Sequence, residues 1–423
     1  MSRNLLIMIS VSLGFFFVTA TTFTSLGYVL YTMVADLGWS QAAAGTSFSF
    51  LGLACGLSSP LPPLLMKWVG TRLTMFAGGM VLAAGFLLAS MVHSIGLFFV
   101  ATTLMGAGFS LIAPSPAVYL IATWFPKTSA RLIGFYFMAG ALGGVVGPLI
   151  VSTIVGVSGS WRVHWMIMAI AAVGLGVLFL FTIRDAVRVE SIDQVKHAGV
   201  ASHAPAHSSP WTVREAMMSR SFVLLAIAMM VIQTVVTTMH SVLVTHVAGL
   251  GGGSAPGALA MSLLALTGTL AKGVSGALSE RVRPKTLLVG GMMLQCGAVT
   301  LLCLTATPAW AAVFALIFGV GWGFSWLSAH ILLLRYFGAS IAGDLTAMAT
   351  MATTFAVLGP LSAGWVADET GSFVPVFMVF AAMLGAAVVM TALFLHAPKP
   401  RQAAAPDARE PEVPAGATLV PAE

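Results

Sequence analysis

The sequence predicts an all-α membrane protein, with twelve transmembrane helices in two six-helix repeats around a central cavity. Three observations lead there. Of 423 residues 58% are apolar and 8% charged, with a mean hydropathy of +0.98, which is more apolar surface than a water-soluble fold can hide. The apolar stretches divide into twelve lengths near the roughly 20 helical residues that cross a bilayer core. The last six lengths repeat the first six at an almost constant offset, described below.

The predicted spans cover 5–33, 42–66, 73–92, 95–123, 132–156 and 163–183, then 221–247, 256–279, 286–306, 309–334, 341–366 and 373–396. The first apolar run, Leu5 to Tyr31, is too long for a signal-peptide core and reads as span one. Residues 1–183 are predicted as one six-helix bundle and 221–396 as the other. Between them, 184–220 is polar and contains the run HAPAHSSPW, which reads as a solvated cytoplasmic linker; the tail 397–423 reads as disordered. With the amino terminus inside, nearly all lysine and arginine of the short loops falls on one side, against Arg162 alone on the other, so both termini are predicted cytoplasmic. The formal charge of +6 therefore reports orientation rather than a nucleic-acid partner. Cys55, Cys296 and Cys303 all lie inside apolar stretches without metal spacing, and read as small core residues with no metal or cofactor implied.

Four short matches define the repeat. MGAG at 105–108 recurs as FGVG at 318–321, TWF at 123–125 as RYF at 335–337, GP at 147–148 as GP at 359–360, and GSW at 159–161 as GSF at 371–373. Each half has an even number of spans, so the repeats share one orientation and are related by an axis along the membrane normal. Such a design encloses a midplane cavity and rocks one half against the other.

The loop Gly276, Glu280, Arg281 and Lys285 resembles the major facilitator loop signature, with Arg283 in place of its second glycine. The equivalent first-half loop keeps Gly70 and Arg72 but has Lys67 where the acid belongs. Within that superfamily, LGWS at 37–40, MGAGFSLIAPSPAVYLIATWFPK at 105–127 and Lys272 four residues before Gly276 resemble the monocarboxylate transporter and oxalate:formate antiporter group. The span-four arginine common in sugar and drug transporters is missing. The resemblance implies the major facilitator fold, no enzymatic activity, and a basic residue at position 272 that holds a substrate carboxylate. Oxalate transport in that group also uses a lysine in span eleven. Residues 341–366 contain no lysine or arginine, which favours one carboxylate over two.

Lys272 is also singled out by its place well inside span eight, on a stripe with Ala265, Gly268, Thr269, Ser275 and Gly276. A buried ammonium costs several kcal/mol unless neutralised, and a substrate carboxylate would neutralise it. The competing reading is that Lys272 snorkels to the interface. In span seven, Gln233, Thr237, His240 and Ser241 share a face, with His240 a proton relay or a donor to substrate. Trp322, Trp326 and His330 in span ten follow at four-residue steps, as either packing or a recognition wall. Thr21, Thr24, Ser25 and Tyr28 make a hydroxyl-rich face in span one, and Tyr28 and Tyr119 are candidate donors to a carboxylate. The glycines near Pro148 and Pro360 read as sites of close helix approach and bending.

No nucleotide motif is present, so transport is expected to draw on an ion or on the cargo's own gradient. The predicted activity is proton-coupled uptake of a small organic monocarboxylate by a monomer in a bacterial inner membrane. Lys272, His240 and Asp344 are the candidate proton carriers. An exchanger of organic anions, an exporter of amphiphilic compounds, and a non-transporting receptor are the alternatives.

Overall fold

The computed structural model describes residues 3–125, 128–185, 211–304 and 307–398, excluding the side chains of 129–131, 339–340, 342–344, 347 and 350. Among these residues there is helix and no strand, and ten helical runs are long and apolar enough to cross a bilayer. The first half contains α1 (Arg3–Thr21) and α2 (Phe23–Leu37) as span one, α3 (Gln41–Ser58), α4 (Leu61–Ser90), α5 (Ile95–Ile112) and α6 (Ser115–Trp124) as span four, α7 (Ser129–Ser158) and α8 (Trp161–Thr182). After the short α9 (Val213–Met217) come α10 (Arg220–Val247), α11 (Ala255–Leu278), α12 (Pro284–Leu304), α13 (Trp310–Phe337), α14 (Ala339–Ala352), α15 (Leu358–Thr370) and α16 (Val374–Phe394).

Four predicted spans contain a break, and each break has a local cause. Span two stops at Ser58 and restarts at Leu61, because Pro60, Pro62 and Pro63 lack the N–H groups of a continuous ladder. The restarted helix runs to Gly70, whose φ of 82° ends it before span three begins at Thr71. Pro114 separates α5 from α6 in span four. Span eleven tightens into a 3₁₀ turn, Thr353–Val357, ahead of Pro360, whereas Pro148 sits inside an uninterrupted α7. In span one the break falls at Thr22, and the hydroxyl-rich face serves it. Thr21 donates to the Phe17 carbonyl (2.8 Å), Thr24 to that of Thr19 (2.9 Å), and Ser25 to that of Ala20.

The repeat predicted from sequence is visible in the packing. Spans three and four pack together as spans nine and ten do, span three lies on span six as nine lies on twelve, and two on four as eight on ten. Gly159 and Gly371, which share the GSW/GSF match, end spans five and eleven in the same left-handed cap, at φ 67° and 70°. Across the halves, span two faces span eleven, five faces eight, and one faces seven.

The polar segment before α10 is partly built into the second half. Thr212 and Glu215 form a capping box for α9, Ala216 is fully buried, and Trp211 meets Phe337 edge-on at 5.6 Å. Residues 186–210 and 399–423, which cover most of the predicted linker and nearly all of the tail, lie outside the described residues.

The two ends of the bundle differ. At the face opposite the chain termini, Asp368 at the end of α15 accepts hydrogen bonds from the Gln41 and Ala42 backbone N–H groups, both at 2.7 Å, and so caps α3 of the other half. Ser254 donates to the Tyr28 hydroxyl (2.9 Å), and Ser49 donates to the Val357 carbonyl. A Cβ at Gly45 or Gly364 would run into the backbone of Pro360 or Gln41, so the halves touch main chain to main chain here. At the face bearing the termini, the described hydrogen bonds stay within one half. Asp185 accepts from the Thr71 N–H (3.0 Å), Trp124 donates to the Arg184 carbonyl (2.8 Å), and Arg335 donates to the Ser279 carbonyl (2.8 Å). Among the described residues one face is latched and the other is not.

Candidate functional site

Between the halves lies a cavity of about 710 Å³. Its charged corner is built where α11 and α13 approach closely. A Cβ at Gly268 would meet the Trp322 ring at 2.7 Å, and one at Gly323 would meet the Lys272 backbone nitrogen at 2.9 Å. The two glycines thus bring Lys272 beside Trp322, and its ammonium lies 3.7 Å from the ring centroid. Among the described residues that line it, none is acidic. A π face attracts a cation by about 0.5–2 kcal/mol, which falls short of what several lost water contacts supplied. Among the described residues the ammonium is therefore short of an anion.

His240 reaches the same corner from α10, its ring edge-on to Trp322 at 6.1 Å. Its Nδ1 lies 2.8 Å from the Val236 carbonyl. A carbonyl only accepts, so Nδ1 carries a proton and Nε2 is the nitrogen left for other partners. Gln233 lies two turns earlier on α10, and its amide makes no hydrogen bond among the described residues. Thr237 between them gives its proton to the Gln233 carbonyl at 2.6 Å. Lysine, histidine and amide line one side of the cavity.

Five sequence-predicted residues meet on this lining: Lys272, His240, Gln233, Thr24 and Trp326. Three lie elsewhere. Tyr28 is buried against Ser254 at the latched face, one turn beyond Thr24 on α2. Tyr119 is buried inside the first half, and His330 is bonded through Nδ1 to the Trp326 carbonyl (2.8 Å) with its ring against Trp326. The Asp344 side chain lies outside the described residues. Of the loop residues, Gly70 makes the turn before span three and the Arg72 Nε is buried with no partner among the described residues. Gly276 has only the Leu327 side chain near its Cβ position, Glu280 and Arg281 are exposed, and Lys285 is half-buried at the start of α12.

Sequence reasoning left Trp322 between packing and recognition, and the structure places its ring against Lys272. The signal was there in Gly268 and Gly323, small residues that let a lysine and a tryptophan meet. Sequence reasoning missed the opposite wall, where Phe15, Phe23, Phe48 and Phe137 line the cavity from the first half. Phenylalanines in apolar spans carry no mark that separates cavity from core. Thr19, on the same wall, has a buried hydroxyl with no partner among the described residues.

A profile of the Major Facilitator Superfamily matches residues 11–357. The chain belongs to the Major Facilitator Superfamily. Superfamily members are transporters, so this is a multi-pass integral membrane transporter. It is 25% identical over 384 residues to the uncharacterized transporter YycB of Bacillus subtilis (strain 168), across 85% of this chain and 87% of that protein. Among solved structures it is similar to a variant of the nucleoside transporter NupG (TM-score 0.76, 14% identity, covering 92% of this chain and 99% of that one). It is also similar to a D-xylose-proton symporter (TM-score 0.73, 16% identity, 95% and 100% covered). At those identities the likeness to solved structures is one of superfamily fold, and the cargo has to be read from the cavity.

Proposed function

We propose that this transporter takes up a small organic monocarboxylate together with a proton, by alternating access, with Lys272 holding the carboxylate. The observation that carries the reading is the ammonium of Lys272, on the wall of a largely apolar cavity with no acidic residue among the described residues that line it. A monoanion completes that corner electrically, and a cation or an uncharged polyol does not. His240 Nε2 and the Gln233 amide stand on the same side to orient the second carboxylate oxygen. One cation matches one carboxylate.

The positive-inside distribution of loop lysine and arginine places both termini in the cytoplasm. The latched face is then external, and the structure corresponds to an inward-facing carrier. In this reading the two six-helix halves move as bundles, 1–183 against 221–396, joined by the cytoplasmic linker 184–220. The protein works as a monomer in a bacterial inner membrane. The proton is carried by Lys272, whose amine releases it when the anion leaves, or by His240; Asp344 is the third candidate. Exchange of one organic anion for another is the second reading, favoured by the same cation.

The test is uptake of radiolabelled mono- and dicarboxylates into proteoliposomes, with and without an inward proton gradient. Gradient-driven uptake of a monocarboxylate, lost in Lys272→Ala, is the expected result. Uptake that survives in Lys272→Ala would make the lysine a snorkelling structural residue. Uptake that needs internal counter-substrate and ignores the proton gradient would select exchange.

A further inference from the structure

The walls of the cavity are chemically unlike, and the difference follows the two halves. Lys272, His240, Gln233, Thr237 and Thr269 all come from the second half, while Phe15, Phe23, Phe48, Phe137 and Met138 come from the first. The first-half rings are held in place by their neighbours. Phe15 stacks on Tyr136 at 4.7 Å and meets Phe137 edge-on at 5.7 Å, and Phe23 is edge-on to both Phe48 and Phe109. The Thr24 hydroxyl on this wall gives its proton to the Thr19 carbonyl, so against four phenylalanine rings the wall sets few free polar groups, the Thr19 hydroxyl among them. Trp326 faces the same space from α13. A cavity of about 710 Å³ is far larger than a two- or three-carbon acid fills, and falls in the usual range for ligands with a sizeable apolar body.

From this division we propose that the cargo is a ring-bearing aromatic monocarboxylate, its carboxylate on the second half at Lys272 and its ring against the aromatic wall of the first half. The proposal rests on the reading of Lys272 as the anion site and adds the chemistry of the body. Rings already fixed by their neighbours give up little rotamer freedom when a ligand stacks on them, so the wall is pre-organised for a flat partner. Offset and edge-on ring contacts add to plain apolar burial, which separates an aromatic acid from a saturated acid of similar size.

Calorimetric titration of the purified full-length protein with benzoate, phenylacetate, indole-3-acetate, cyclohexanecarboxylate, acetate and benzyl alcohol tests both parts separately. The aromatic acids are expected to bind about 3- to 10-fold more tightly than cyclohexanecarboxylate, the gain of one or two ring contacts, with acetate weakest. Phe137→Leu and Trp326→Leu should each weaken the aromatic acids about 3- to 10-fold and leave acetate unchanged, whereas Lys272→Ala weakens every acid. Equal affinity for cyclohexanecarboxylate and the aromatic acids, or no binding by any of the three aromatic acids, overturns the aromatic assignment. Benzyl alcohol binding as tightly as benzoate would instead remove the anion site while leaving the ring wall in place.

Discussion

Asp368 joins the two halves at the closed face through one carboxylate and two backbone N–H groups, each at 2.7 Å. Removing that carboxylate should shift the carrier toward the state open at that face. Both bonds are charge-assisted, and they cap the positive end of α3, but the aspartate is exposed and water takes its place in part. Together they contribute about 1–2 kcal/mol, within the range of helix caps. At about 1.4 kcal/mol per tenfold, Asp368→Ala moves the equilibrium about 5- to 30-fold, and Asp368→Asn, which keeps an acceptor and loses the charge, moves it less. Spin labels at Val157 and Leu304, exposed positions of opposite halves at that face, report the separation by double electron–electron resonance in a background free of native cysteines. A longer-distance population that grows from parent to Asn to Ala is the expected series. Identical distance distributions in all three would refute the latch, and the closure would have to be assigned to backbone packing at Gly45 and Gly364.

Lys272→Arg should bind the same acids but lose its response to a proton gradient, since a guanidinium does not give up its proton at working pH; proteoliposome uptake at two external pH values shows this. Gly364→Leu introduces a side chain where the Gln41 main chain lies, and should arrest the carrier with that face open, seen as loss of the short distance in the same resonance experiment. Trp322→Leu removes the ring beneath the Lys272 ammonium and the partner of His240, and should change acid affinity by about 2- to 30-fold by calorimetry, with no change predicted for benzyl alcohol. Asp185→Ala leaves the start of span three without its cap and should lower thermal stability by about 0.5–2 kcal/mol, read as a lower midpoint in a melt of the detergent-solubilised protein.

The number of spans, their order and the repeat were legible because burial in lipid imposes length and apolarity on every segment, and because two halves of one design keep their glycines in register. Lys272 was legible for the same reason, since a charge inside an apolar helix is conspicuous. The side chains around it were less so. Tyr28 and Thr24 lie one turn apart on one face of α2, yet Tyr28, the nearer to the closed end, pairs with Ser254 while Thr24 lines the cavity. Helical periodicity gives the face of a residue and not the depth at which the cavity ends. His330 and Trp326 likewise share a stripe, and the histidine is used by its own helix. The phenylalanine wall was hidden because lipid, core and cavity all accept phenylalanine.

Asp185 occupies a place in space that the loop pattern assigns to another residue. Its carboxylate reaches the Thr71 N–H from 114 positions away and lies 2.9 Å from where a Gly70 Cβ would stand, while Lys67, at the position of the expected acid, is exposed. Mutational tolerance should therefore be inverted along this junction. Position 67 is free to vary in charge and size, and the end of span six, outside the recognised pattern, is where a substitution costs stability.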